Sequence, residues 1–176
     1  ASELTLGAAN ASGIYAGWVK DNLGVGGTVS LKKVGTGVLE LTGTNTYTGA
    51  TVIDGGRLVL GVSGALSSST VVTANGGSEW DLGATTQTVG SVVLNDGSVV
   101  GGVLTATDVL VKKGSVTGVL AGAGGLTKAT SGEVTLGGVN TYTGPTVVDL
   151  GKLVLGVDGA LSGSTAVTVN GGAELA

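Results

Sequence analysis

The 176-residue chain contains no cysteine, histidine, methionine or phenylalanine, and a single proline, Pro145. Without Cys or His there is no thiolate or imidazole to ligate a metal, no cysteine nucleophile and no histidine base. There is no disulfide framework either, so cysteine usage leaves the redox compartment unread. Aromatic residues make up 3% and charged residues 11%, with eight Lys and Arg against twelve Asp and Glu, a net charge of −4. A nucleic-acid surface needs basic residues gathered on one face, and none are gathered here. No apolar run approaches the ~18–20 residues of a membrane span, so this segment is not expected to insert in a membrane. The opening Ala1-Ser2-Glu3 lacks the charged and apolar regions of a signal peptide. If the protein is exported, the sequence reads as a mature or excised segment.

What the chain does have is glycine. The 36 glycines are about a fifth of the residues, where roughly 7% is usual. They do not recur at every third position, which excludes collagen. A sequence that is 41% hydrophobic is not the polar, Pro-rich composition of a disordered chain. The remaining reading is a series of short strands separated by glycine turns.

Two internal periods organise those turns. Gly43-Thr-Asn-Thr-Tyr-Thr-Gly49 returns as Gly138-Val-Asn-Thr-Tyr-Thr-Gly144, an offset of 95. The same offset carries Leu31 to Leu126, Gly61-Val-Ser-Gly-Ala-Leu-Ser67 to Gly156-Val-Asp-Gly-Ala-Leu-Ser162, and Asn75-Gly-Gly77 to Asn170-Gly-Gly172. Inside this duplication, Gly37, Gly56, Gly77, Gly97, Gly114, Gly132, Gly151 and Gly172 stand 19, 21, 20, 17, 18, 19 and 21 residues apart. Most of these glycines precede an alternating stretch such as Val38-Leu-Glu-Leu41, Arg57-Leu-Val-Leu60, Glu79-Trp-Asp-Leu82, Glu133-Val-Thr-Leu136 or Lys152-Leu-Val-Leu155. Two apolar residues two apart describe a strand with one face inward. The expected inner column is therefore Leu39 and Leu41, Leu58 and Leu60, Trp80 and Leu82, Val134 and Leu136, Leu153 and Leu155.

A unit of ~17–21 residues is too short for a propeller blade and carries no leucine-rich signature. It suits one coil of a parallel β-helix. An antiparallel sandwich would not require the same pattern in every unit. Residues 1–176 are thus expected to form a single all-β solenoid of about nine coils of ~19 residues. In-register stacking would set Arg57 beside Glu79, and Lys152 between Glu133 and Glu174, pairing opposite charges between neighbouring coils. Ser2-Glu-Leu-Thr-Leu-Gly-Ala8 resembles Ser78-Glu-Trp-Asp-Leu-Gly-Ala84, and Gly172-Ala-Glu-Leu175 resembles Gly77-Ser-Glu-Trp80. The ends are therefore expected to be uncapped and open to continuation, by further sequence or by another copy.

The stretch from Leu31-Lys-Lys-Val-Gly-Thr-Gly37 through Asn45-Thr-Tyr-Thr-Gly49 to Arg57-Leu-Val-Leu-Gly61 resembles the passenger-associated strand repeat of bacterial autotransporters. The copies lie at about 31–61 and 126–156. In the second, Ala129-Thr-Ser replaces Val34-Gly-Thr and Leu150 replaces Gly55, which raises the question of its turn geometry. The resemblance implies a right-handed parallel β-helix, carried through the outer membrane to the surface of a Gram-negative bacterium. It also implies a part in adhesion, aggregation or biofilm, with a host or bacterial surface as partner. The family's C-terminal β-barrel translocator is absent from this sequence. A fibre subunit associating end to end is the alternative reading, and a polysaccharide-active enzyme a third.

Side chains that could form a site were weighed against structural roles. Asn45 and Tyr47, with Asn140 and Tyr142, are the sharpest repeated pair. They read either as a ligand-contacting row or as corners, with Asn in a left-handed conformation and Tyr covering a sheet edge. Five coils at ~4.8 Å put the copies ~24 Å apart, too far for one small pocket. Glycoside hydrolysis needs two carboxylates ~5–9.5 Å apart. Asp54 and Asp149 hold equivalent repeat positions, and Asp81, Asp96 and Asp108 fall in other coils, but these read better as solvated turn and strand carboxylates. Gly122-Ala-Gly-Gly125 lacks the Lys-Ser/Thr ending of a phosphate loop, and the calcium-binding nonapeptide is missing. Thr44-Asn-Thr-Tyr-Thr48 resembles a flat ice-binding face but does not recur in adjacent coils. No catalytic, cofactor-binding or metal-ligating residue is expected.

Overall fold

A computed structural model describes residues 1–21, 26–158, 160–163 and 165–176. Gly159, within the second Gly-Val-x-Gly-Ala-Leu-Ser string, lies outside them. The described residues form strands and turns with no helix, so none is long and apolar enough to cross a membrane. The strands are β1 (Ser2–Leu6), β2 (Gly13–Tyr15), β3 (Val29–Lys33), β4 (Val38–Leu41), β5 (Thr51–Ile53), β6 (Arg57–Leu60), β7 (Val71–Asn75) and β8 (Glu79–Asp81). Two long strands follow, β9 (Thr86–Val100) and β10 (Val103–Val116). The remainder are β11 (Val119–Ala121), β12 (Gly125–Lys128), β13 (Glu133–Leu136), β14 (Thr146–Val148), β15 (Lys152–Leu155), β16 (Val167–Val169) and β17 (Glu174–Leu175).

All strand pairings among the described residues are parallel, and they resolve into stacked columns. In the first, β1 pairs with β3, β3 with β5, β5 with β7, β7 with the middle of β9, and that with β10, β12, β14 and β16 in turn. The second runs from β2 through β4, β6, β8, the ends of β9 and β10, and on to β13, β15 and β17. A third, shorter column joins the starts of β9 and β10 to β11. Parallel partners 17–21 residues apart, repeated in this way, make a β-solenoid.

From β3 to β16 the first column advances through about seven turns, fewer than the nine coils expected. The nine strands of the first column enclose eight steps, and the seven regular ones begin at β3. The first turn is also irregular: Ser2 pairs with Val29, a step of 27 residues, where Leu31 to Thr51 is a step of 20.

Alternation puts the apolar residues inside. Leu39, Leu58, Trp80, Val99, Val116 and Leu136 follow one another up the second column, and all are buried. Each large apolar side chain removed from water contributes about 1.5–3 kcal/mol. This stack does not hold the alignment that the glycine spacing implies, since Trp80 lines up with Leu136 and not with Val134. A two-residue shift preserves which side chains face inward. It enters between β10 and β13, where Gly114 stands opposite Val134 and not Gly132, since the ladder break at Lys113 leaves a step of 17 on either side. Gly114 has φ +119°, and a Cβ there would lie 1.9 Å from the Gly97 carbonyl oxygen, so only glycine fits.

The charges pair as their spacing implied. Arg57 sits opposite Glu79 with Nε 2.7 Å from Oε1. Lys152 sits opposite both Glu133 and Glu174, with its Nζ 3.0 Å from Glu174 Oε1.

Candidate functional site

The repeated Asn-Thr-Tyr-Thr-Gly turns are interior features. Asn45 is 3% exposed. Its Oδ1 accepts a bond from the Val19 N–H at 2.8 Å, one coil below. Its Nδ2 donates to the Gly43 carbonyl at 3.0 Å and to the Ala65 carbonyl at 2.8 Å, one coil above. Asn140 repeats the arrangement, accepting from the Leu120 N–H at 2.7 Å and donating to the Ala160 carbonyl. One carboxamide thus ties three successive coils. The expectation of a left-handed asparagine is corrected, because the positive-φ non-glycine residues described are Asn10 and Asp96.

Tyr47 and Tyr142 lie in the core and do not cover a sheet edge. The Tyr47 hydroxyl meets Thr51 Oγ1 at 2.5 Å, Thr51 Oγ1 meets Thr70 Oγ1 at 3.3 Å, and Thr70 Oγ1 donates to the Gly49 carbonyl at 2.6 Å. Since the carbonyl can only accept, the orientation that fills every link runs from Tyr47 through Thr51 and Thr70 to Gly49. Tyr142, Thr146, Thr165 and the Gly144 carbonyl form the same relay. Burial pushes the Tyr47 phenol up to about 12, with the Thr51 bond opposing it, and raises Tyr142 in the same direction.

Two further repeat residues escaped the sequence reading. Lys33 and Lys128 have no exposed surface. Lys33 Nζ donates to the carbonyls of Val34, Gly35 and Gly55 at 2.8, 3.0 and 3.1 Å. Lys128 Nζ donates to those of Thr130 and Leu150, the latter at 3.0 Å. Thr130 and Leu150 therefore do the work of Gly35 and Gly55, which answers the question raised by those replacements. Burial lowers both lysines from their ordinary range. The signal was available: Lys33 is two residues from Leu31, and Lys128 two from Leu126, so each shares the inward face.

Four of the five candidate aspartates are held by side-chain or backbone partners. Asp54 is bonded to Lys32 Nζ at 3.0 Å and to Asn75 Nδ2 at 2.7 Å, and those partners lower its carboxyl, Asn75 most. Asn75 in turn accepts from Asn95 Nδ2 at 2.8 Å. Asp149 accepts from Asn170 Nδ2 at 2.7 Å. Asp81 pairs with Arg57 and accepts the Gly83 N–H at 2.7 Å, Asp96 pairs with Lys113 at 3.0 Å, and Asp108 is exposed. Carboxylates held in this way order the turns between coils.

The chemistry left to the outside is shallow. A concavity of about 380 Å³ lies where the third column meets the first, lined by Ser68, Thr88, Thr105 and Thr107 over Val89 and Ala106. It is open, hydroxyl-rimmed and bears no charge. Near the first turn Trp18 and Ile14 are 65% and 70% exposed, with the Lys20 ammonium 4.7 Å from the Trp18 ring. Such surfaces offer a partner contact area without a deep pocket.

Residues 31–60 and 126–155 match the family described as passenger-associated-transport-repeat. The chain is 39% identical over 131 residues, 67% of its length, to the adhesin BmaC autotransporter of Brucella suis biovar 1 (strain 1330). It spans 4% of the length of that relative. No solved structure gives a significant match.

Proposed function

The chain is a passenger-type β-solenoid carrying two passenger-associated-transport repeats, and on that premise we propose that it is a stretch of the adhesive rod displayed by a bacterial autotransporter. The observation that carries this reading is the identity to an autotransporter adhesin, which spans 67% of the chain. The internal geometry supports it: the polar residues repeated in the two copies are spent on joining coils, which leaves the outer faces for contact with a partner. The segment acts outside a Gram-negative cell, without catalysis. Its partner is a component of a host or bacterial surface, engaged by broad contact and not by a deep pocket.

The test is attachment of beads coated with the full chain to cultured host cells and to bacteria. Attachment well above that of beads carrying an unrelated β-rich protein is expected. Attachment no greater than that of the control beads on either cell type would overturn the adhesive reading. Clumping of the beads without cells would shift the reading to self-association.

A further inference from the structure

Several hydroxyls at the corners of the coils are spent on the backbone. Thr70 donates to the Gly49 carbonyl at 2.6 Å, Thr85 to that of Leu82 at 2.7 Å and Thr130 to that of Lys112 at 2.7 Å. The side chains of Ser68, Thr88 and Thr105 have no hydrogen-bond partner among the described residues. All three border the concavity of about 380 Å³ where the third column meets the first. Thr105 stands opposite Thr88, about 4.8 Å away by the strand spacing. Both point outward, since Gln87, Val89, Leu104 and Ala106 beside them are buried. Ser68 lies one coil earlier, close to where the Gly90 N–H meets the Thr70 carbonyl. One coil later Gly122 has φ +90°, and a Cβ there would lie 2.7 Å from Thr105 Cγ2. Glycine thus leaves the Thr105 side chain free to face the concavity. These are middle coils of the rod, with further coils stacked on both sides.

No charged residue lines the concavity, so it offers no ion pair to a phosphate, a carboxylate or an amine. Its three unspent hydroxyls can each donate and accept, and Ala106 and Ala123 supply apolar contact beside them. A charged ligand would give up water here without a compensating partner, and a purely apolar one would strip water from the hydroxyls. A neutral pyranose ring meets both demands, with hydroxyls at its edge and C–H groups on its face. The volume lies at the lower end of the ~300–1,000 Å³ usual for small-molecule sites, in keeping with one ring.

We propose that this concavity is a subsite for one neutral hexose of a surface glycan, held by the hydroxyls of Ser68, Thr88 and Thr105 with its C–H face against Ala106 and Ala123. That the sugar belongs to a surface rests on the adhesive reading. The capacity to hold a neutral sugar does not.

The experiment is saturation-transfer NMR on the full chain with the methyl glycosides of glucose, galactose and mannose. Weak, saturable binding of at least one of them is expected. Thr88→Val and Thr105→Val keep the branched shape and each remove one hydroxyl, so each is expected to weaken binding about two- to tenfold. Ala123→Leu fills the concavity from its exposed rim and is expected to abolish the signal. Thr73→Val, on the outer face of the first column, is expected to leave it unchanged, and circular-dichroism melts check that all four variants fold. No signal from any of the three glycosides would overturn the proposal. So would a signal that survives the two valine variants and Ala123→Leu, or one that Thr73→Val weakens equally. Bead attachment reads the adhesive reading separately. Beads that adhere without sugar binding remove the subsite alone, and sugar binding without attachment removes the adhesive reading alone.

Discussion

Asn45 illustrates how much one buried amide can hold. Both of its donors and one of its two acceptor lone pairs are taken by backbone groups. Asn45→Ala leaves the Val19 N–H without its acceptor and removes a donor from the Gly43 carbonyl, while the Ala65 carbonyl keeps the Asn45 N–H, so it is expected to lower stability by about 1–3 kcal/mol, read as a shift in denaturant midpoint. Asn140→Ala should cost a similar amount. Tyr47 gives a second prediction, in pH. Its phenol is raised from 10.0 to about 12 in the folded state, so the folded chain holds a proton that the unfolded chain releases in that window. The associated stability is present below pH 10 and lost between pH 10 and about 12, on the order of 2–3 kcal/mol. Tyr47→Phe is expected to lose less stability than wild type across that window in pH-dependent denaturation. Lys33 and Lys128 are common to both proteins, so their contribution cancels in the comparison.

At the scale of the element, each strand is short and gains its position from the coils on either side. Trp80 in β8 stacks between Leu58 and Val99, fully buried, with its Nε1 lacking a hydrogen-bond partner. Trp80→Ala should cost about 3–5 kcal/mol. Trp80→Phe should cost markedly less, because it removes an unsatisfied donor along with part of the ring; thermal melts of the two variants decide this. The charge ladder offers a register test. Reversing Lys152 to Glu sets three acidic side chains in consecutive coils and should lower the melting temperature, whereas Lys152→Glu combined with Glu174→Lys should recover part of the loss. This level of order was legible in the sequence: glycine spacing located the corners, alternation located the inner faces, and Arg57 with Glu79 announced the register. The two-residue slip between β10 and β13 was not legible, since it depends on how the corner at residues 129–133 is taken up against residues 112–113 of the continuous β10. The role of Asn45 was not legible either, because its partners Val19 and Ala65 are 26 and 20 residues away and carry no side-chain signal of the contact.

The whole molecule is a rod of about seven turns, roughly 34 Å at ~4.8 Å per coil. The two repeats stand five coils apart along it, as an offset of 95 residues implied. Between them the third column of strands begins at β9 and ends at β11, and each repeat turn fills the place that such a strand would take: Thr46 N–H bonds to Val19 O at 3.0 Å and Thr141 N–H to Leu120 O at 2.8 Å. Composition alone excluded metal-thiolate chemistry, and the repeat string pointed to a passenger. A surface for the proposed partner was not legible, because shallow Thr, Ser and Ala contacts leave no distinctive motif. The account rests on the repeat turns being internal staples, and amide hydrogen exchange at Val19 and Leu120 tests this most directly. Both amides are expected to be strongly protected in the wild-type chain, and Asn45→Ala should speed exchange at Val19 about tenfold or more while leaving Leu120 slow. Rapid exchange of both amides in the wild-type chain would place the asparagines at the surface and contradict the account.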